Sequence, residues 1–323
     1  LTSSDDLVSV SSSFRDKLKM HALNAAANEL QQEHELRKAL TVIVDAGIPF
    51  LLMKGTPLGY SHYSQSYLRT RCDTDIIFAN REAADEAWLL LKNMGYSRPN
   101  AVSGEFVSHE FSCYKSNKQG IGHTLDIHWK LSNAQRFARA FNFTELSNSA
   151  TAITELGNGV YALGPVHAMV LACMHRIAHK PEHMENRLIW LYDVHLLAEG
   201  FDDSQWQLFV SIANEKNMSG ICLDGILQTR KAFNTKIPEE KERKIEEAAH
   251  NEKESSEMGN SRLSMELSNL RALPGWNERM GLIKERIFPE ADYMLVKYNT
   301  RHKVFLPFLY LKRAVGGVLK LLQ

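Results

Sequence analysis

Two short segments of alternating character constrain this chain more than anything else in it: "DTDIIF" at 73–78 and "HTLDIHWKL" at 123–131. Side chains on an extended strand alternate between its faces. Asp73 and Asp75 therefore share one face of the first segment, with Thr74, Ile76 and Phe78 on the other. In the second, Leu125, Ile127, Trp129 and Leu131 form an apolar face opposite Asp126, His128 and Lys130. Both read as strands whose apolar face meets a core and whose carboxylate face lies at the sheet's open surface. On such a face Asp75→Asn is expected to leave stability level or raised, because it relieves repulsion within the acidic pair.

The surrounding chain supplies helices and further strands. Residues 14–46 are rich in Ala, Leu, Glu, Gln and Lys with apolar residues at steps of three and four. That pattern predicts a long helix with room for one break, ended by Gly47 and Pro49. "FLLMK" at 50–54 reads as a buried strand, and "GTPLGYSHY" as a helix that Thr56 can cap and Pro57 can begin. "REAADEAWLLLKNMGY" predicts an amphipathic helix, and "EFVSHEFSCYKS" a strand joined to "HTLDIHWKLS" through the turn "NKQGIG". After "LGP" at 163–165 the segments are helical, as in a bundle packed on the first part. We expect an α+β chain with an N-terminal helical segment at 1–46, a strand-bearing domain at 47–160 and a helical domain at 161–323.

Composition excludes little but sharpens the class. The 323 residues balance 38 basic against 38 acidic side chains, so no global charge points to nucleic acid. The four scattered cysteines (Cys72, Cys113, Cys173 and Cys222) show no paired spacing, and the N-terminal sequence shows no secretory pattern. A reduced, cytoplasmic protein is expected. No apolar run reaches transmembrane length.

The chemistry begins with the acids. Two carboxylates side by side repel unless a cation neutralises them. Hard oxygen donors suit Mg²⁺ or Mn²⁺, which can bind substrate phosphates as well. If the second strand lies beside the first, Asp126 becomes a third carboxylate, and such a set can activate a hydroxyl and stabilise a leaving pyrophosphate. Upstream, a strand-to-helix turn at Lys54, Gly55 and Thr56 exposes backbone N–H groups suited to an anion. Lys54 or Thr56 could reach phosphate oxygens, and Arg69 or Arg71 could add positive charge.

"LLMKGTPLGYSHY", "LRTRCDTDIIF" and "LDIHWKL" together resemble the uncharacterised nucleotidyltransferase family of the DNA polymerase β-like superfamily. The resemblance continues through "HRIAHK", "RLIWLYDVHLL" and "RIFPEADYMLVKY", and so covers most of the chain. It implies a polymerase β-like sheet with flanking helices and a helical partner domain. It further implies Asp73, Asp75 and Asp126 as catalytic metal ligands, with Lys54 and Gly55 at the triphosphate of an NTP. One departure stands out: the wider superfamily places Gly-Ser closer to its acidic pair, whereas Gly55-Thr56 stands eighteen residues before Asp73.

The expected activity is metal-dependent transfer of an NMP unit from an NTP to an acceptor: a small molecule, glycan, peptide, protein or RNA. A glycosyltransferase using D-x-D for a nucleotide-sugar, and an inactive nucleotide-binding relative, are the rival readings. His128 is read either as a nucleotide contact or as a structural hydrogen bonder to Asp126. His175 and His179 have helical i,i+4 spacing, but the zinc reading lacks a clear third ligand, and a polar seam facing the cleft with Arg187 and Asp193 fits better. Trp190 and Leu191 are expected in the core. The charged stretch 236–257 reads as a solvated helix or a linker. The tail mixes basic and apolar residues as an interfacial helix does, so weak contact with a membrane surface is one reading. Pro307 and Gly316-Gly317 argue against one continuous helix there, and packing on the protein's own body is preferred.

Overall fold

The computed structural model describes residues 11–116, 122–252 and 262–321. It opens on α1 (Ser12–Asp45), unbroken over its whole length, capped by Ser11 and stopped by Gly47 at φ +70°. Only the second half of α1 is seated: Leu36, Ala39, Leu40 and Ile43 are fully buried. The chain continues through β1 (Phe50–Met53), α2 (Gly55–Ser61), β2 (Thr74–Phe78), α3 (Arg81–Asn93), β3 (Glu110–Ser116) and β4 (Gly122–His128). The predicted turn between β3 and β4 lies largely outside the described residues. Two short helices, α4 (Gln135–Ala138) and α5 (Phe143–Asn148), lead to the two-residue strands β5 (Thr151–Ala152) and β6 (Tyr161–Ala162).

These strands form one mixed sheet in the order β3-β4-β2-β1-β6-β5. β1 runs antiparallel to β2, β2 parallel to β4, and β3 antiparallel to β4. One face meets α1 and α3, where Leu52, Ile76, Phe78, Leu125 and Ile127 pack with Leu36, Leu40 and Leu91. This is the core that the alternation predicts, with Trp129 partly buried against it.

The opposite face is not open. Helices α6 (Pro165–Ala178), α7 (Leu188–Gly200), α8 (Asp203–Glu215) and α9 (Ser219–Phe233) follow the sheet. Leu51, Met53 and Ile77 on that face form a second core with Val166, Met169, Val170 and Val194. A sheet covered on both sides accounts for the continuous apolar run of β1, all four residues of which are buried. Asp75 is consequently only 5% exposed, which corrects the expectation of a solvated carboxylate.

Beyond these lie α10 (Glu239–Asn251), α11 (Arg262–Ala272), α12 (Trp276–Ile287), α13 (Ala291–Lys297) and α14 (Leu306–Leu321). α10 resolves the reading of the described part of the charged stretch: it is a helix packed on α8 and α9 through fully buried Ile245. Residues 253–257 of that stretch are outside the described residues. α12 is fastened to the loop before β3, where the backbone N–H groups of Glu105, Phe106 and Val107 donate to the Glu285 carboxylate, each at 2.9 Å. Residues 306–321 of the tail form one helix, contrary to expectation. Pro307 sits in the first turn of α14, where no backbone N–H is required. Gly316 and Gly317 remain helical despite their intrinsic cost.

Candidate active site

The strand register assembles the site. Asp75 on β2 is the direct partner of Asp126 on parallel β4, two strands that nothing local in the sequence joins. Candidate ligand atoms of Asp75, Asp126 and His128 all lie within 4.8 Å of one another. Asp73 precedes β2 and lines the same cleft, half-buried. Thus the three acids and His128 converge, with His128 rather than Asp73 in the most compact group.

Lys54 reaches this group from the end of β1. Its Nζ donates to Asp75 Oδ1 at 2.6 Å, and His128 Nε2 lies 3.0 Å from the same oxygen. The other ring nitrogen, Nδ1, is 2.8 Å from Glu110 Oε2, an ion-pair distance without hydrogen-bond alignment. Lys54 has φ +60° and ψ −136°, a conformation that costs a residue with a side chain on the order of 1–3 kcal/mol. The strain sits where the chain turns from β1 into α2 and delivers the lysine to Asp75. Gly55 follows because a Cβ there would come within 2.9 Å of the Arg69 guanidinium.

The remaining predicted contacts are placed differently from their sequence reading. Thr56 does not cap α2; it is buried within the helix with its hydroxyl 3.2 Å from that of Thr74. Arg69 lines the cleft, but its guanidinium makes a bidentate pair with Asp193 of α7, at 2.7 Å for both bonds. Arg71 is likewise paired with Glu29 of α1 at 3.0 Å. These arginines join the segment before β2 to neighbouring helices, so their charge is already balanced before any anion arrives.

The cleft holds about 370 Å³ and is closed on the helical side by α6 and the start of α7. His175, His179 and Trp190 pack ring against ring there, with centroids 4.6–5.0 Å apart. Trp190 is therefore a cleft wall and not the core residue expected; Leu191 is buried as expected. Arg187 stands at the same wall with its guanidinium 4.8 Å from the Trp190 ring. Its side chain is exposed, and among the described residues it has no carboxylate partner.

Electrostatics separates the acids into two kinds. Burial alone would raise the Asp75 pKa, but Lys54 and His128 outweigh it and hold the carboxyl well below its ordinary value. Burial would also lower His128, yet Asp75 and Glu110 lift it above the usual imidazole value. Glu110 is brought down to about 2: burial opposes ionisation, while His128 and Lys54 favour it. Asp73 moves the other way, to about 6, through burial and the charges of Asp75 and Asp126. Burial, partly offset by Ser112 and reinforced by Asp75, raises Asp126 too.

These shifts give a pH test. Asp73 has a folded pKa above its unfolded value, so ionising it destabilises the fold fully above about pH 6, and the penalty eases between that value and the ordinary 3.8 as pH falls. His62, His109, His123, His167, His175 and His179 are all lowered, first by burial, and oppose this on acidification. The effect must therefore be read as a difference. Metal-free Asp73→Asn should melt above wild type at about pH 7.5, and the gap should narrow below about pH 6 and close as pH approaches about 4. A gap independent of pH would refute a strained Asp73 carboxylate.

The donor set fits a divalent cation. Asp126 Oδ1 is buried and, among the described residues, lacks a hydrogen-bond partner, as an oxygen reserved for an ion would. The carboxylates of Asp75 and Asp126 offer hard oxygen donors beside Lys54, within 4.8 Å of each other and of His128. Sequence reasoning missed Glu110, which reaches the site only because β3 pairs it with His128. It also missed the cleft role of Trp190. No curated protein matches this chain significantly. The profile of the uncharacterised nucleotidyltransferase family matches residues 1–234, which run from the N-terminus to the end of α9, and the chain belongs to that family.

Proposed function

We propose that the protein transfers an NMP unit from an NTP to a nucleophilic acceptor and releases pyrophosphate, with Mg²⁺ or Mn²⁺ as cofactor. The observation that carries this reading is the pairing of Asp75 with Asp126 across β2 and β4, beside Lys54 and with one Asp126 oxygen unpartnered. Asp73, Asp75 and Asp126 would hold the ion, with His128 positioning Asp75 beside them. A bound divalent ion would neutralise phosphate charge and favour ionisation of the acceptor. Lys54 holds Asp75 ionised and oriented. The acceptor's oxygen or nitrogen forms a bond to the α-phosphorus, while the bond to the α,β-bridging oxygen breaks and its electron pair leaves with pyrophosphate. Asp126 takes the acceptor's proton.

Arg187 has the clearest role toward the triphosphate. Lys54, Arg69 and Arg71 are each matched by a carboxylate, whereas Arg187 lines the cleft without one among the described residues. Arg187→Ala should weaken NTP binding by roughly 10- to 100-fold, the range for losing a hydrogen bond to a charged group. The melting temperature should not change, since the side chain is exposed. Equal NTP affinity in titration calorimetry would remove Arg187 from the nucleotide site.

Pyrophosphate release from each NTP, with Mn²⁺ or Mg²⁺ and a panel of acceptors, tests the reaction itself. Metal-dependent release supports transfer. Turnover of nucleotide-sugars without turnover of NTPs would favour the glycosyltransferase reading, and nucleotide binding without release in any acceptor screen would favour an inactive relative.

A further inference from the structure

The last 31 residues, 293–323, contain six Lys or Arg and no Asp or Glu, so the rest of a chain of zero net charge carries the balancing −6. Most of this basic segment is α14 and its approach, beyond the residues matched by the family profile. The inner side of α14 is fastened: Leu309 is buried, the Tyr310 hydroxyl donates to Pro289 O at 2.9 Å, and Arg313 Nε donates to Arg286 O at 2.7 Å. The outer side is apolar. Phe308, Leu311, Val315 and Leu319 recur at steps of three and four, and each keeps 52–63% of its surface exposed. Val304 and Phe305 extend the stripe just before the helix, at 78% and 50%. Arg301, Lys303 and Lys312 are exposed around it.

A helix normally turns its apolar stripe inward. Here a helix held by its other face presents that stripe outward, rimmed by cations, in a segment of sequence without acids. No described helix is long and apolar enough to cross a membrane. The 16 residues of α14 span about 24 Å, short of the roughly 30 Å hydrocarbon core. We propose that α14 lies flat on an anionic lipid surface, with Phe308, Leu311, Val315 and Leu319 entering the headgroup–acyl boundary and the cations engaging lipid charge. Apolar burial and attraction to anionic lipid are the two forces that hold interfacial helices. Charge selects lipid over a second copy of this chain, because two copies facing each other here would oppose the same cations.

The test is flotation of the full chain with vesicles of phosphatidylcholine alone, or of phosphatidylcholine with about one-third phosphatidylglycerol. Binding to the anionic vesicles should exceed binding to the neutral ones by at least about tenfold, and salt should weaken it. Phe308→Ser with Leu311→Ser should reduce it at least about tenfold, and Lys303→Glu with Lys312→Glu should do the same. All four positions are exposed, so the melting temperature should hold in both double variants. No binding to anionic vesicles would overturn the proposal. So would a wild-type dimer, seen by light scattering at working concentration, that the Phe308→Ser and Leu311→Ser pair converts to monomer.

Discussion

Asp75→Asn should abolish transfer and destabilise the fold, two effects that sequence reasoning alone would separate. Its carboxylate receives Lys54 Nζ at 2.6 Å and faces His128 Nε2 at 3.0 Å, inside a region covered by the second helical layer. An amide cannot balance either cation. Removing one partner of a buried ion pair costs roughly 3–5 kcal/mol, because the other is left buried and uncompensated. The loss should appear as a lower denaturation midpoint without metal. Transfer should fall on the order of a thousandfold, the consequence of losing several kcal/mol of stabilisation of the reacting phosphate. An Asp75→Asn protein as stable as wild type would show that the Lys54 pair contributes nothing to the fold.

Asp126→Asn should separate the same two properties. Asp126 is raised above its ordinary value, first by burial and then by Asp75 despite Ser112, and its Oδ1 has no hydrogen-bond partner among the described residues. Ionised Asp126 therefore gains little in the metal-free fold. Its replacement should leave the metal-free melting temperature level or raised, while transfer falls as far as in Asp75→Asn. Added Mn²⁺ should raise the melting temperature of wild type and have little effect on this variant, since only a native-state ligand stabilises by mass action. An Asp126→Asn variant that keeps its metal-induced stabilisation would place the ion elsewhere. The contrast between the two substitutions distinguishes an acid that holds the fold from one held in readiness for a cation.

Local alternation carried much of this site. "DTDIIF" and "LDIHWKL" identify which residues share a face, and β2 and β4 bring Asp75 and Asp126 together on that face. The same segments held a signal for the second layer. Ile77 lies between Ile76 and Phe78, so β2 has apolar side chains on both faces and must be covered on both. Helices α6 to α9 supply that cover, and their long-range placement is what turns Trp190 into a cleft wall and Arg69 into a partner of Asp193. Glu110 was illegible for a related reason: only the β3–β4 register brings it to His128. Strands β5 and β6 have two residues each, too few for any periodicity to show. The tail failed on a positional rule, since Pro307 breaks a helix interior but not a first turn.

The central claim is that Asp75 and Asp126 serve metal-dependent transfer of the nucleotide's α-phosphate, and isotope position tests it most directly. Two samples of each NTP, labelled at the α- or the γ-phosphate, would be incubated with the protein, Mn²⁺ or Mg²⁺ and a lysate of the source cells. Nucleotidyl transfer predicts that α-label moves onto an acceptor while γ-label appears only in pyrophosphate, and that Asp126→Asn or chelation of the metal prevents both. Movement of γ-label onto the acceptor, or α-label transfer undiminished in Asp126→Asn, would contradict it.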